Sequence, residues 1–309
     1  MAAALSRTAR EIAAQPDCWR LAARHATGLA DALPEPGERV AVTGCGTSWF
    51  MAQAYAALRE QAGQGETHAF AASEFPMRRT YDRVVAITRS GTTSEVLRLL
   101  EGMRAAGPGP ALVALTADPG AEVIRLAEQV AVLDYADEES VVQTRFATSA
   151  LALLRAGLEA HGPLPAGVRT VAEAATDAER ALSGPLPAGA GEAEQWTFLG
   201  SGWVYGLAQE AALKMREAAG AWAEAYPSME YRHGPVAITA PGRAVWLLDA
   251  TPDGPAADVL RAGGTLVEHG GGCPTADLVR VQRLAVAVAE SRGLDPDRPR
   301  NLSRSVILP

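Results

Sequence analysis

The stretch VAVTGCGTSWFMAQAYAALRE, residues 40–60, decides the fold class. It begins with a short apolar, β-branched run that stops at Gly44, which is typical of a buried strand. Gly44 and Gly46 permit a tight turn, and the Ala-rich continuation predicts a helix. A strand, a glycine turn and a helix in this order indicate one unit of a parallel α/β sheet.

The same alternation extends along the chain. One or two helices are predicted over residues 5–33, and two long helices over roughly 144–161 and 166–183. Between them, strands are predicted at HAFAA, RVVAITR, ALVALT and VAVLDY, with a short helical turn at SEFPMR and helices at TSEVLRLLEGMRAAG and GAEVIRLAEQ. This alternation predicts a parallel sheet that helices cover on both faces.

The pattern restarts after LSGPLPAGAGEAEQ, a Gly-, Pro- and Ala-rich stretch that is the best linker candidate. WTFLGSGWVYGLAQEAALKMRE, residues 196–217, resembles the opening stretch and repeats its G-x-G, and strands at RAVWLLDA and TLVEH and a helix at ADLVRVQRLAVAVAESRG follow. A matched G-x-G after a strand favours duplication over chance similarity between Ala-rich helices. We therefore predict two subdomains, residues 1–185 and 186–309, with a shared cleft.

Composition excludes several classes of protein. The 309 residues are 48% hydrophobic and 21% charged, with no apolar run of membrane-spanning length and no signal-peptide pattern. The net charge of −8 argues against nucleic acid as a partner, and the three cysteines lack the spacing of a zinc site or a disulfide framework. A cytoplasmic protein without membrane contact is expected.

Two hydroxyl-rich turns are candidates for binding phosphate. Gly44-Cys45-Gly46-Thr47-Ser48 and Thr88-Arg89-Ser90-Gly91-Thr92-Thr93 each join a predicted strand to a predicted helix, where free N–H groups favour an anion. The alternative for each is a helix-capping turn. Trp49 stands where a dinucleotide fingerprint needs glycine, and there is no G-K-[ST], so no cofactor is expected.

A helical face and a histidine are candidates for proton transfer. Glu210, Lys214 and Glu217 share one helical face, on which a carboxylate could act as a base beside a cation. An exposed, salt-bridged face is the commoner explanation of this spacing. His233 precedes Gly-Pro near a predicted helix end, where the dipole favours an imidazolium, although a capping role is the alternative.

With these motifs assembled, the chain resembles the SIS (sugar isomerase) family, most closely the isomerase part of glucosamine-6-phosphate synthase. The matching segments run from EIAAQP and GCGTS through ASEF, TRSGTTSE and SVVQTRFAT to EAALKMRE, AEAYPSMEYRHGP and DPDRPRNLSRSV. The resemblance implies two SIS subdomains, each a flavodoxin-like parallel sheet in a three-layer α/β/α sandwich. It also implies a homodimer whose active site includes a histidine from the partner subunit.

Site residues are carried over from the resemblance position by position. Glu217 would move the proton between carbons 1 and 2 with help from Lys214, His233 would open the sugar ring, and Arg304 would stabilise negative oxygen. The substrate-binding residues would be Cys45, Gly46, Thr47, Ser48, Thr88, Arg89, Ser90, Thr93 and Gln143. No metal is needed, because side chains meet the charge.

The chain departs from the family pattern at several positions. Arg304 stands where the family has a lysine, Arg89 and Thr92 replace glutamine and glutamate, and Gln143 replaces a serine. The glutaminase segment and its cysteine at position 2 are not present in the sequence, so glutaminase activity is not expected.

We therefore expect an isomerase/deaminase that converts an aminosugar 6-phosphate, such as glucosamine 6-phosphate, into a ketose 6-phosphate and ammonia. A deglycase for fructosamine 6-phosphates, an aldose–ketose isomerase and a non-catalytic sugar-phosphate regulator are the alternatives.

Overall fold

A computed structural model describes residues 5–250 and 254–308. The chain divides into two compact units, named here by their sheets. The five-stranded unit contains residues 17–138, 145–172 and 303–308, and the four-stranded unit contains the described residues of 5–16, 139–144 and 173–302. The predicted boundary between residues 185 and 186 separates the two repeats in the sequence. Each compact unit is built from three separate stretches of the chain, so the units do not test this boundary, and it stays a prediction.

The five-stranded sheet is parallel throughout, with the strand order β2-β1-β3-β4-β5. This is the order of flavodoxin-like folds, as the resemblance implied. Its strands are β1 (Val40–Gly44), β2 (Thr67–Ala71), β3 (Arg83–Ile87), β4 (Ala111–Thr116) and β5 (Gln129–Val132).

The central strands of this sheet are buried along their whole length. Every residue of β1 and of β3 is buried, and Val40, Ala41 and Val42 have no exposed surface. A continuous apolar run is what a parallel strand requires when helices cover both of its faces. The prediction made from residues 40–60 is therefore confirmed for this strand.

The four-stranded sheet is also parallel and repeats the first four strands. Its order is β7-β6-β8-β9, so its strands correspond in position to β2-β1-β3-β4. Its strands are β6 (Gln195–Gly200), β7 (Trp222–Pro227), β8 (Arg243–Leu247) and β9 (Thr265–Val267). The predicted α/β fold class is thus confirmed, and the matching strand order agrees with an internal repeat.

The helices follow the predicted pattern with some differences in extent. They are α1 (Arg7–Ala13), α2 (Gln15–His25), α3 (Thr47–Gln61), α4 (Ser94–Ala105), α5 (Arg145–His161), α6 (Val171–Ser183), α7 (Val204–Ala219), α8 (Ala256–Arg261) and α9 (Pro274–Ser291). The helix predicted from 166 starts only at Val171, after a loop that contains Gly167, whose φ is +81°. GAEVIRLAEQ forms only a 3₁₀ turn, Glu122–Arg125.

Two elements escaped the sequence analysis. Strand β7 has no strongly apolar run, because it lies at the edge of its sheet, where most of its residues are only partly buried. Helix α8 has six residues, too few to show a helical period. Among the described helices, none combines the length and apolarity that crossing a bilayer would require.

Close backbone approach requires glycine at the end of β1. A Cβ atom on Gly44 would lie 2.7 Å from the Ser48 Cβ and 2.9 Å from the Ile87 carbonyl oxygen. The corresponding Cβ on Gly200, at the end of β6, would lie 2.6 Å from the Val204 carbonyl oxygen. At both strand ends, the missing side chain lets the following helix begin against the sheet.

We expect Gly44→Ala to lower the free energy of unfolding by about 2–3 kcal/mol, because the added methyl group must displace backbone atoms. Denaturant unfolding would measure the change. Gly28→Ala is the matched control, since a Cβ there meets nothing within 4 Å. Equal unfolding midpoints for the two variants would contradict the packing argument.

Candidate functional site

The two hydroxyl-rich turns leave the same edge of the five-stranded sheet. Strands β1 and β3 are hydrogen-bonded parallel neighbours, with Thr43 opposite Ala86, so their carboxyl ends open side by side. The Glu95 carboxylate, in the first turn of α4, is near enough to Cys45 to contribute to the raised pKa of its thiol. The two turns are therefore neighbours within this unit.

The first turn is built from one left-handed glycine and the start of α3. Gly46 has a φ of +54° and precedes the first helical residue, Thr47. Thr47 and Ser48 are buried in the first turn of the helix, and the Ser48 N–H donates to the Cys45 carbonyl oxygen at 3.2 Å. The turn thus sets hydroxyl groups beside the positive end of a 15-residue helix.

The second turn gathers three hydroxyl groups at the start of α4. The Thr92 hydroxyl donates to the Ser90 hydroxyl oxygen at 3.1 Å, and Thr93 lies beside them in the same loop. Gly91 has a φ of +60°, and a Cβ there would lie 2.4 Å from the Ala121 Cβ. Thr88, which is buried, has a hydroxyl oxygen with no hydrogen-bond partner. The loop therefore holds more hydroxyl donors than its own contacts use.

The Arg89 guanidinium lies in the protein interior. It pairs with the Glu138 carboxylate at 3.5 Å, and the two side chains are 1% and 0% exposed. It also donates to the Arg304 carbonyl oxygen at 2.9 Å. Burial lowers the pKa of Arg89, while the Glu138 charge opposes that shift. The structure therefore places this predicted substrate-binding residue against Glu138 and the C-terminal segment.

Arg304 lies on the same unit as the two turns. Its guanidinium donates to the Glu138 carbonyl oxygen and pairs with the Asp137 carboxylate, and its side chain is partly exposed. Arg304, which stands where the family pattern has a lysine, is thus a cation already paired with the Asp137 carboxylate.

The four-stranded unit holds the remaining predicted residues, and α7 carries two carboxylates and an ammonium group in contact. The Lys214 ammonium is 3.3 Å from a Glu210 carboxylate oxygen and donates to the Glu217 carboxylate. The Lys214 and Glu210 side chains are each 1% exposed, whereas the Glu217 side chain is 19% exposed. The alternative of an ordinary exposed face therefore does not apply, because Lys214 and Glu210 are buried in the unit.

Glu217 is accessible from a basic cavity in the same unit. The cavity has a volume of about 660 Å³ and lies beside the C-terminal ends of α7 and α9. Four arginines and two carboxylates line it: Arg216, Arg292, Arg298, Arg300, Glu217 and Asp295. The excess of positive charge suits an anionic ligand near the Glu217 carboxylate.

His233 and Gln143 have contrasting surroundings. His233 is exposed at the end of a 3₁₀ turn, Glu230–His233, rather than at the end of an α-helix. Gln143 is partly buried, and its side-chain oxygen has no hydrogen-bond partner. The first residue is open to solvent, and the second has an acceptor available for a ligand.

The second copy of the glycine turn contains a carboxylate of the protein itself. Gly202 has the same φ as Gly46, +54°, but the Ser201 N–H donates to the Asp249 carboxylate at 3.0 Å. The two copies share their backbone geometry and differ in their side chains.

Some residues at these sites were missed by the sequence analysis. Asp137, Glu138 and Ser305 contact the predicted residues only because distant segments meet in the fold. Asp137 and Glu138 lie outside the segments that match the family pattern, and Ser305 lies inside one of them but was assigned no role. In the described part of the chain, no group of three or more His, Cys, Asp or Glu side chains is arranged to hold a metal ion.

Two parallel sheets of matching strand order, with glycine turns at their strand ends, define the class of this protein as a repeated α/β fold. Residues 35–159 match the SIS domain, and the chain carries that domain. The resemblance found in the sequence is thereby confirmed.

Curated relatives include glutamine–fructose-6-phosphate aminotransferases (isomerizing). The Synechocystis enzyme is 28% identical over 90% of this chain and 53% of its own length. The Aeropyrum pernix enzyme is 31% identical over 72% of this chain and 43% of its own length. The chain therefore spans about half the length of the curated relatives it matches.

Solved structures share the fold over nearly the whole chain. Glucosamine-6-phosphate deaminase from Thermotoga maritima is 24% identical with a TM-score of 0.82, covering 98% of this chain and 100% of that one. The C-terminal domain of glucosamine-fructose-6-phosphate aminotransferase from Francisella tularensis is 21% identical with a TM-score of 0.74, covering 96% and 99%. At these identities the likeness shows the fold.

The thiol of Cys45 gives a test of the first turn. Burial, aided by the Glu95 charge, raises its pKa from 9.0 to about 11. At pH 8 the folded protein then has about 100-fold less thiolate at this position than an ordinary thiol has. We expect iodoacetamide to alkylate Cys45 slowly in the folded protein, at a rate that rises with pH up to about pH 11. Mass spectrometry of the Cys45 peptide would measure this rate. The urea-unfolded chain is the control, and a rate in the folded protein that levels off near pH 9 would contradict the burial.

Proposed function

We propose that this chain catalyses proton transfer between carbons 1 and 2 of an aminosugar 6-phosphate, such as glucosamine 6-phosphate, and releases ammonia. The observation that carries the proposal is the Glu217 carboxylate, held by the buried Lys214 at the wall of a basic cavity. A protein that only bound a sugar phosphate would have no use for a carboxylate fixed in this way. The SIS domain and its isomerase relatives support the same assignment.

The phosphate is assigned to the two turns of the five-stranded unit. Thr47, Ser48, Ser90 and Thr93 donate hydroxyl hydrogen bonds to it, with backbone contributions near Cys45 and Gly46. Neutral donors at helix starts bind a dianion without the cost of burying further cations. Thr88, whose hydroxyl oxygen is buried and unpartnered, is a further donor in the same loop.

The reaction begins with ring opening, which is assigned to His233. Glu217 then removes the proton from carbon 2 of the open-chain aldehyde, giving an enolamine, and delivers it to carbon 1. The product is an imine at carbon 2. Water adds to this carbon, the C–N bond breaks, and fructose 6-phosphate and ammonia are released.

Lys214 has a supporting role in this scheme. Its ammonium lies between two carboxylates, so it keeps Glu217 in one orientation and offsets the repulsion from Glu210. Removal of one partner of such a buried pair leaves an uncompensated charge, which is strongly destabilising. Arg304 remains a cation and can stabilise negative oxygen on the substrate.

His233 also supports the dimer that we propose. An exposed histidine at the end of a short turn is available to a neighbouring subunit, and the family pattern places one histidine of each active site on the partner. We therefore propose a homodimer in which each subunit supplies His233 to the other.

A second candidate reaction is favoured by the charge of the cavity at Glu217. Four arginines provide more positive charge than the two carboxylates of the cavity balance. A fructosamine 6-phosphate derived from an amino acid carries a carboxylate in addition to its phosphate and would use this charge. The same proton transfer, run from carbon 1 to carbon 2, gives an imine that hydrolyses to glucose 6-phosphate and an amine.

A substrate panel separates the candidates. Purified protein is incubated with glucosamine 6-phosphate, amino-acid-derived fructosamine 6-phosphates and fructose 6-phosphate, and ammonia, ketose phosphate and aldose phosphate are measured. We expect ammonia and fructose 6-phosphate from the first compound. Turnover of fructosamine 6-phosphates alone would select the deglycase, and binding without any turnover would favour a regulator.

We expect Glu217→Gln to lower kcat by about 10²–10⁴-fold, because an amide cannot accept the substrate proton. Binding of fructose 6-phosphate should change by less than about threefold, because the phosphate contacts remain. Steady-state kinetics and calorimetry would measure the two effects. Glu268→Gln, an exposed substitution in the same unit, is the control, and full activity of Glu217→Gln would refute its assignment as the base.

A further inference from the structure

The C-terminal segment Ser303–Leu308 lies on the second hydroxyl-rich turn. The Ser94 N–H, at the start of α4, donates to the Val306 carbonyl oxygen at 3.1 Å. The Leu308 N–H donates to the Ser94 hydroxyl oxygen at 2.9 Å. These two hydrogen bonds, each donated by a backbone N–H group, hold the segment in one position against the turn.

One side chain of this segment points into the hydroxyl cluster. The Ser305 hydroxyl oxygen is 3.2 Å from that of Ser90, 3.1 Å from that of Thr92 and 3.5 Å from that of Thr93. Four hydroxyl groups therefore meet at one place. Each of them can donate one hydrogen bond, and among the described residues the acceptors of these hydroxyl groups are one another.

The cations near this cluster already have partners. Arg89 is buried against Glu138, and Arg304 is paired with Asp137. A dianion bound here must rely on hydroxyl and amide donors for most of its stabilisation. Each hydroxyl group that reaches the anion therefore has a measurable share in its affinity.

The contact also unites three positions at which this chain departs from the family pattern. Arg89 donates to the Arg304 carbonyl oxygen, and the Thr92 hydroxyl oxygen lies 3.1 Å from that of Ser305. The departures at Arg89, Thr92 and Arg304 thus lie in one contact between the turn and the C-terminal segment. Together they hold Ser305 at the cluster.

We propose that Ser305 is a further phosphate-binding residue, the fourth hydroxyl group of the cluster at the second turn, and that Arg89 and the Arg304 carbonyl group position it. This inference rests on the proposed function only in placing a phosphate ester at the second turn. When the anion binds, the four hydroxyl groups turn their hydrogens from one another toward its oxygens. The C-terminal segment thereby becomes part of the substrate site of its own unit.

Calorimetry of the full chain with inorganic phosphate and fructose 6-phosphate tests the proposal, with fructose as the unphosphorylated control. We expect Ser305→Ala to raise the Kd for both phosphate compounds about tenfold, the loss of one hydrogen bond to a charged group. Ser305→Thr, which restores a hydroxyl, should recover most of the affinity. Ser291→Ala, on the other unit, is the matched control and should bind like the wild type.

Hydrogen exchange of the wild type gives a second readout that needs no substitution. If the segment is part of the site, phosphate should slow exchange of the Leu308 and Ser94 amides. If Ser305 instead blocks the site, phosphate would speed exchange of these two amides, and Ser305→Ala would bind phosphate more tightly than the wild type. Either result would overturn the proposal.

The tests separate this inference from the proposed function, because binding is measured without turnover. A wild type that binds both phosphate compounds, with unchanged affinity in Ser305→Ala, overturns the role of Ser305 alone. A wild type that binds neither compound overturns the phosphate site and this role together. Weakened binding in Ser305→Ala supports the role of Ser305 whichever reaction the substrate panel reveals.

Discussion

The hydrogen-bonded pairing of β1 with β3 is the constraint on which the proposed phosphate site depends. Parallel neighbours place their carboxyl ends on one edge, so the turns after Gly44 and Ile87 must open together. The absence of a side chain at Gly44 lets α3 start against that edge, with Thr47 and Ser48 in its first turn. A shift in this pairing would separate the hydroxyl groups that the two turns contribute.

Electrostatic pairing within each unit complements this geometry. The Arg89, Arg304 and Lys214 side chains are all engaged with carboxylates of their own unit. In a chain with a net charge of −8, such pairing leaves neutral donors as the main groups that could hold the proposed phosphate at the turns. Unbalanced positive charge is instead found in the cavity at Glu217.

Local sequence patterns predicted most of the fold, because buried parallel strands and glycine turns leave clear signatures in the chain. The edge strand Trp222–Pro227 was missed because its partial burial removes the apolar run that marks a central strand. The burial of Lys214 was also missed, since the spacing of Glu210, Lys214 and Glu217 is the same on an exposed face.

The candidate site was less accessible to sequence reasoning than the fold. The residues of the two turns could be named because each turn is continuous in the chain. The contacts of Ser305 with Thr92, and of Arg89 with Glu138, join residues 213 and 49 positions apart. Such contacts depend on the folded path of the chain, which no local spacing records.

The two copies of the glycine turn have the same φ at their second glycine but different electrostatic surroundings. In the second copy, Asp249 supplies a negative charge to the Ser201 amide, which is the kind of donor that an incoming anion would seek. A phosphate approaching that turn would meet repulsion from a like charge. The repeated backbone therefore does not make two equivalent phosphate turns, because Asp249 already accepts from the donor of the second one.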